Sequence, residues 1–395
     1  MAFASRYIEK QVIFPVLIGE EPHPDTGIIV MIPACNEPAL METIVSLSHC
    51  DPPACKVEVI VVVNEPENCR PEIHTCNDQS LLLMNGWKKE HAHTFLSLYP
   101  VMPGPFPEKH AGVGLARKTG MDEAVRRFEW LNRPGGVIVS LDADTLVERN
   151  YLTQIEKLVL QDRDVIGATI RFSHRVSEVH DERQREGILL YEEYLHYYKR
   201  AMDWCGYPHA IYTIGSAFAV KAAAYVKQGG MNQRKAGEDF YFLHKITRLG
   251  ALAELNSTCV YPSARLSDRV PFGTGAALQK WMRKENQLRM TYHFQAFIDL
   301  KAFFMRIAEL YTNKPGDLFV APALARFLQE DDFPEKLAEI RTNCATVTAF
   351  RKRFFQYFDA FKILKFMNFS HAEFYELQDL RKAVAALEQA DLRDV

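Results

Sequence analysis

Residues 137–144 read VIVSLDAD. Val137 to Leu141 carry no charge, which predicts a strand buried on both faces, as in a parallel sheet covered by helices. The strand ends at two aspartates one residue apart. In extended backbone, residues i and i+2 point the same way, so Asp142 and Asp144 converge at the mouth of the sheet. Their like charges repel, and a hard divalent cation with oxygen ligands removes that cost. Mg2+ or Mn2+ held there would also grip a diphosphate and neutralise the charge that builds on it as it leaves. The plain alternative is a solvated turn with Asp144 capping the next helix. The position directly after a buried strand favours the ligand-binding reading.

The pattern repeats outward from this strand. IIVMIP (28–33) is a second buried strand, and Asn36, Glu37 and Pro38 open a helix to about Leu47, with Leu40, Ile44 and Leu47 at helical spacing. VEVIVVV (57–63) is a third strand, which makes a right-handed βαβ unit. Residues 64–110 carry Pro, Asn, His and charge, and predict a long loop with one or two short elements. Leu115, Met121, Ala124, Val125 and Phe128 mark a helix over 113–128. Further on, 148–161 reads as a helix, 165–172 as a strand, 178–203 as a helix rich in Tyr and charge, and 211–220 as a strand entering a turn. Phe240, Leu243, Ile246 and Leu249 lie on one face of a helix that Gly250 stops. This alternation predicts an α/β fold, a Rossmann-like and mostly parallel sheet with flanking helices. Ligands of such sheets bind beyond the carboxyl ends of the strands, so the residues after Ile32, Val63 and Leu141 matter most. Past Phe272 the helical period takes over, which predicts one domain over 1–275 and a helical region over 276–395.

Composition narrows the classes. The 395 residues are 48% hydrophobic and 25% charged, with net charge −3, so a general nucleic-acid binder is not expected. The opening MAFASRYIEKQVIFP lacks the pattern of a signal peptide. No run reaches the roughly 18 apolar residues of a membrane span. The eight cysteines contain no CxxC pair, which argues against structural zinc and for reduced thiols in a cytoplasmic protein. Cys69 and Cys76, in one polar stretch, are the pair to check.

Gly237-Glu238-Asp239 opens an amphipathic helix. Acidic residues are favoured there for capping and for the helix dipole alone. With the Asp142/Asp144 pair upstream, one of the two becomes a candidate general base for an acceptor hydroxyl.

Four stretches in order, IPACNEP (32–38), GVGLARKTGMDEA (112–124), LDADT (141–145) and GEDF (237–240), resemble family 2 of the glycosyltransferases, which has the GT-A fold. The resemblance covers roughly residues 27–281. It implies a nucleotide-sugar donor, a hydroxyl acceptor (a saccharide, a lipid-linked or a small molecule), and an inverting displacement aided by Mg2+ or Mn2+. It implies that Pro33, Ala34, Asn36 and Glu37 sit against the nucleoside and that Arg117 lies near the base or the diphosphate. Asp142 and Asp144 would serve ribose and metal, with Asp239 as base and Glu238 beside it. Three departures stand out. Asn64-Glu65-Pro66 replaces acidic residues and a Gly-Ser turn, although Asn64 can still hydrogen-bond a base or ribose. Lys118 replaces an Asn. The Gln-x-x-Arg-Trp motif of processive synthases is reduced to Gln279-Lys280-Trp281, so a processive polymer synthase is not expected.

Other features have two readings. The loop of Ser267, Asp268 and Arg269 either closes on the diphosphate through Arg269 or is a linker. Gly215-Ser216 lines an acceptor pocket or makes a plain turn, and His244 reads as structural. Gly112-Val113-Gly114 follows no strand, which argues against a dinucleotide fingerprint. A sugar-phosphate nucleotidyltransferase should carry a glycine-rich loop with Arg after its first strand, and IPACNEP has none. A degenerate, non-catalytic binder of nucleotide or a partner is the remaining rival. The stretch RKRFFQYFDAFKILKF (351–366) packs a helical core or touches a membrane surface or partner.

Overall fold

The structure, a computed structural model, describes residues 2–91, 94–267, 273–285, 287–312 and 320–394. The chain forms two compact units. The first takes Met1–His180 and Thr213–Gln279, and the second takes Asp181–Tyr212 and Lys280–Val395.

The first unit begins with a short helix α1 (Ser5–Gln11), then β1 (Thr26–Ala34), α2 (Leu40–Ser48), β2 (Lys56–Val63), α3 (Pro71–Glu90), β3 (Leu96–Val101), α4 (Val113–Trp130) and β4 (Val137–Ser140). It continues through β5 (Leu146–Val147), α5 (Tyr151–Ile155) and β6 (Val165–Phe172). After α6 (Glu182–Trp204), which belongs to the second unit, come β7 (Phe218–Lys221), α7 (Ala222–Gln228), α8 (Glu238–Ile246), β8 (Ala251–Tyr261) and α9 (Thr274–Met282), whose last residues from Lys280 on belong to the second unit.

The strands form one mixed sheet in the order β3-β2-β1-β4-β7-β6-β8-β5. The first four are parallel, with Met31 opposite Ile60 and Val30 opposite Val139. β7 runs antiparallel to both neighbours, β8 is parallel to β6, and β5 is antiparallel to β8. The expected α/β sheet with flanking helices is therefore formed. Every residue of β1 is buried, as a central strand covered on both faces requires. Because the chain leaves β1 for β2 on one side and reaches β4 on the other, a crevice opens at their carboxyl ends.

Helix α4 packs on this sheet although six of its fourteen buried residues are polar or charged, and each buried charge has a partner. Arg127 grips Glu58, the acid inside β2, with Nη2 2.8 Å from Oε1, and Thr26 adds a hydroxyl to the same carboxylate. Lys118, the departure from the family pattern, pairs with Asp122 at 2.9 Å. The Tyr7 and Tyr225 hydroxyls also donate to Asp122, at 2.7 and 2.8 Å, which ties α1 to α4 and α7.

Several sequence-based expectations shift. Residues 64–110 hold a 20-residue helix, α3, and a strand, β3, rather than a loop with short elements. The buried face of α3 is Asn77, Ser80, Met84 and Trp87, half of it polar, so its apolar period is faint. Within 211–220 the strand begins only at Phe218. The helix expected over 148–161 is α5 followed by a π-helical turn, Glu156–Leu160.

The second unit is helical, with α6 joined by α10 (Phe294–Met305), α11 (Ile307–Thr312), α12 (Pro322–Gln329), α13 (Phe333–Thr342), α14 (Val347–Tyr357), α15 (Ala360–Glu373) and α16 (Leu380–Asp394). A two-residue ladder pairs β9 (Met290–Thr291) with β10 (Gln378–Asp379). Phe303, Phe304, Phe354, Phe355 and Phe358 form one buried cluster, with Phe304 5.2 Å from Phe355 and Phe354 5.7 Å from Phe358. Arg351, Lys352 and Arg353 face outward, so the aromatic side chains of this stretch fill the core. All eight cysteines are free thiols, Cys69 and Cys76 included. Among the described residues, no helix is long and apolar enough to cross a membrane.

Candidate active site

Asp142 and Asp144 leave β4 in a tight turn, with Thr145 N donating to Asp142 O at 3.2 Å. The Thr43 hydroxyl of α2 donates to Ala143 O at 3.0 Å and pins that turn. Arg117 approaches from the first turns of α4. Its Nη2 lies 2.5 Å from Asp142 Oδ1, and its Nη1 donates to Glu238 Oε1. The guanidinium is only 2% exposed. Its seat exists because residue 215 is glycine, where a Cβ would stand 2.6 Å from Arg117 Nη2.

Glu238 is the first residue of α8. Gly237 before it has φ of +69°, in the left-handed region that side chains with a Cβ disfavour. Glu238 is buried against Arg117, whereas the next residue, Asp239, is half-buried. Burial pushes the Asp239 carboxyl above the usual range, Arg117 pulls it down, and Asp142 pushes it up.

A second arginine completes the acidic mouth. After β1 the chain turns at Asn36, whose φ is +51° and whose N–H donates to Asn77 Oδ1 at 2.9 Å. That turn delivers Glu37, which is buried and accepts both Arg265 Nη1, at 2.8 Å, and Arg265 Nη2. Arg265 Nη2 also lies 3.0 Å from Asp144 Oδ2. Arg175 Nη2 donates to the Asp144 backbone carbonyl at 2.9 Å. Burial, then Asp142, push the Asp144 carboxyl up to about 7, against the pull of Arg265.

The remaining sequence-derived candidates fall as follows. Pro33 and Ala34 lie inside β1, and the Ala34 carbonyl accepts both the backbone N–H and the side-chain Nδ2 of Asn64, each at 2.9 Å. The Asn64 amide is thus engaged by β1. Beside it, Glu65 is buried against His74, at 3.1 Å, and Asn77, at 3.3 Å. Hydrogen bonding to Glu65, then Asp78, raises the His74 pKa. His244 is buried, with its ring edge-on to Phe240 at 4.5 Å. Arg269 lies outside the described residues. Arg265, Arg175 and Asn77 were not singled out by sequence. For Arg265 a signal existed, since it lies in the loop just past the carboxyl end of β8, a strand parallel to β6.

Among the described residues, no group of three or more His, Cys, Asp or Glu is arranged to hold a metal ion. Asp142 and Asp144 provide a donor set of two carboxylates. That set fits Mg2+ or Mn2+ as ions that take one or two carboxylates and complete their shell with phosphate oxygens and water.

No family model and no curated protein matches the chain. Among solved structures the chain is similar to the mannosyltransferase PcManGT from Pyrobaculum calidifontis in complex with GDP-Man and Mn2+, at 15% identity, covering 90% of this chain and 93% of that one, with a TM-score of 0.40. It is also similar to S. aureus TarS in complex with UDP-GlcNAc, at 14% identity, covering 87% and 90%, with a TM-score of 0.43. A third is glucosyl-3-phosphoglycerate synthase from Mycobacterium tuberculosis in complex with Mn2+, UDP-glucose and phosphoglyceric acid, at 14% identity, 66% and 78% coverage, and a TM-score of 0.37.

Proposed function

We propose that the protein transfers a sugar from a nucleotide-sugar to a hydroxyl acceptor as an inverting, family 2-like glycosyltransferase. The observation that carries this reading is the meeting of Glu37, Arg117, Asp142, Asp144 and the Glu238-Asp239 pair at the carboxyl ends of β1 and β4. They come from four separate stretches of chain, and the α/β crevice is where such sheets bind nucleotides. The same residues carry the motif resemblance.

In this reading Asp142 and Asp144 hold Mg2+ or Mn2+, which supplies positive charge to the donor diphosphate as it leaves. Asp239 is the general base. The acceptor oxygen forms a bond to the anomeric carbon as the bond from that carbon to the diphosphate breaks, and the hydroxyl proton passes to the Asp239 carboxylate. A carboxyl raised by burial is a stronger base than an ordinary one, which suits that role. Glu238 is a positioning residue, because its carboxylate is spent on Arg117. Arg117 in turn fixes Asp142, and it serves the diphosphate through that aspartate.

The test is a thermal-shift panel of UDP, GDP and CDP and their common sugars, with and without Mn2+. A ligand at about 100 times its dissociation constant adds roughly 2.7 kcal/mol of stability. A Mn2+-dependent shift with one nucleotide is expected. Well-folded protein that responds to none of them rejects the reading.

A further inference from the structure

We propose that Arg265 is the counter-ion that the ligand-free protein keeps on Asp144, and that it is exchanged for the divalent cation when the donor diphosphate arrives. The inference rests on the donor-binding reading above.

The charges at the mouth divide into two sets. Arg117 bridges Glu238 and Asp142, and Arg265 bridges Glu37 and Asp144. The two arginines differ in freedom. Arg117 is 2% exposed and is held in the glycine seat at Gly215. Arg265 is 32% exposed and comes from the loop after β8. Its contact with Asp144 is a single Nη2 at 3.0 Å, whereas Glu37 receives both of its terminal nitrogens. Glu37 is therefore the pivot and Asp144 the contact that can be given up. Arg175 does not take this place, because it reaches the Asp144 backbone carbonyl and spends its other terminal nitrogen on Glu178 and Glu42.

An ion arriving on Asp144 meets a guanidinium on the same carboxylate, and the two cations repel in a poorly hydrated site. A cation alone must therefore displace Arg265 without recompense. With a diphosphate present, the freed guanidinium gains a partner whose planar arrangement of oxygens it matches. Cation and nucleotide then bind cooperatively, each strengthening the other by the same factor.

The experiment is Mn2+ binding in the absence of nucleotide, read by electron paramagnetic resonance of the free ion, for the wild-type chain and for Arg265→Met. Methionine keeps an apolar stem and removes the charge. The variant is expected to bind Mn2+ roughly tenfold more tightly or better, and to bind UDP or GDP less tightly at saturating Mn2+. Mn2+ affinity that is unchanged or weaker in a folded variant overturns the exchange, as does the absence of Mn2+ binding in both proteins. A second measurement needs no variant. In the wild-type chain, Mn2+ must raise nucleoside diphosphate affinity and the nucleotide must raise Mn2+ affinity equally, and independent binding overturns the proposal. The donor-binding reading fails on a different result, a wild-type chain that saturates with Mn2+ and still shows no response to any nucleoside diphosphate.

Discussion

Replacing Arg117 with methionine tests whether the acidic mouth depends on one buried cation. The guanidinium is 2% exposed, and its partners differ: the Glu238 side chain is 3% exposed and that of Asp142 is 37% exposed. In the variant Asp142 returns to water, and an exposed pair of that kind is worth about 0–1 kcal/mol. Glu238 has no such escape. A buried carboxylate stripped of its partner costs about 3–5 kcal/mol. Against this, Arg117 Nε is a buried donor with no hydrogen-bond partner, and methionine removes that burden of about 1–3 kcal/mol. Taking the middle of each range, the expected net loss is about 2.5 kcal/mol, which for a unit of this size lowers Tm by roughly 5–10 °C. Calorimetry of the ligand-free protein reads it directly. The double variant Arg117→Met/Glu238→Gln should recover most of the loss, because glutamine carries no charge to strand. A single variant that melts within about 1 °C of the wild type would refute the reasoning, as would a double variant no more stable than the single one.

Three further outcomes are expected. Asp239→Asn retains nucleotide-sugar binding and lowers turnover by about 10²–10⁴-fold, measured as released nucleoside diphosphate, and near-normal turnover removes Asp239 from the role of base. Gly215→Ala places a Cβ 2.6 Å from Arg117 Nη2, which two carboxylates prevent from moving aside, so a loss of about 1–3 kcal/mol is expected in thermal denaturation; an unchanged Tm shows the guanidinium to be mobile. The Asp144 carboxyl keeps its proton up to about 7 in the folded chain, whereas its ordinary value is 3.8. Its contribution to stability is therefore complete below the lower value and lost as pH rises through the upper one. The ligand-free protein should lose stability between about pH 4 and pH 7, and Asp144→Asn should flatten that slope. His74, raised by Glu65, contributes with the same sign and remains in the variant, so a slope that does not change at all refutes the Asp144 assignment.

The runs IIVMIP, VEVIVVV and VIVSL, apolar but for Glu58 and Ser140, call for burial on both faces, and they are β1, β2 and β4 of the parallel half of the sheet. The end of the buried run before Asp142 and the helix start at Gly237 set Asp142, Asp144 and Asp239 just past β4 and at the start of α8, but the backbone at Asp142 and Asp144 is a tight turn and not the extended form expected. What failed was local in another sense. Helix α3 buries Asn77 against the segments after β1 and β2 and Ser80 against its own Cys76 carbonyl, and a helix whose buried face is half polar has little apolar period to read.

The pairing of charges was beyond the reach of sequence. Arg117 stands 121 positions from Glu238, and Arg265 stands 228 positions from Glu37. Nothing in an arginine's neighbours along the chain says which carboxylate it will meet, since a guanidinium on a long stem takes whatever the tertiary fold brings within reach. Strand burial and the spacing of the acids followed from composition and backbone period, which act between near neighbours. Which acid remains half-buried as Asp239, which is spent on Arg117, and which shares Arg265 were decided only when the sheet order set β1, β4 and the loop after β8 around one crevice.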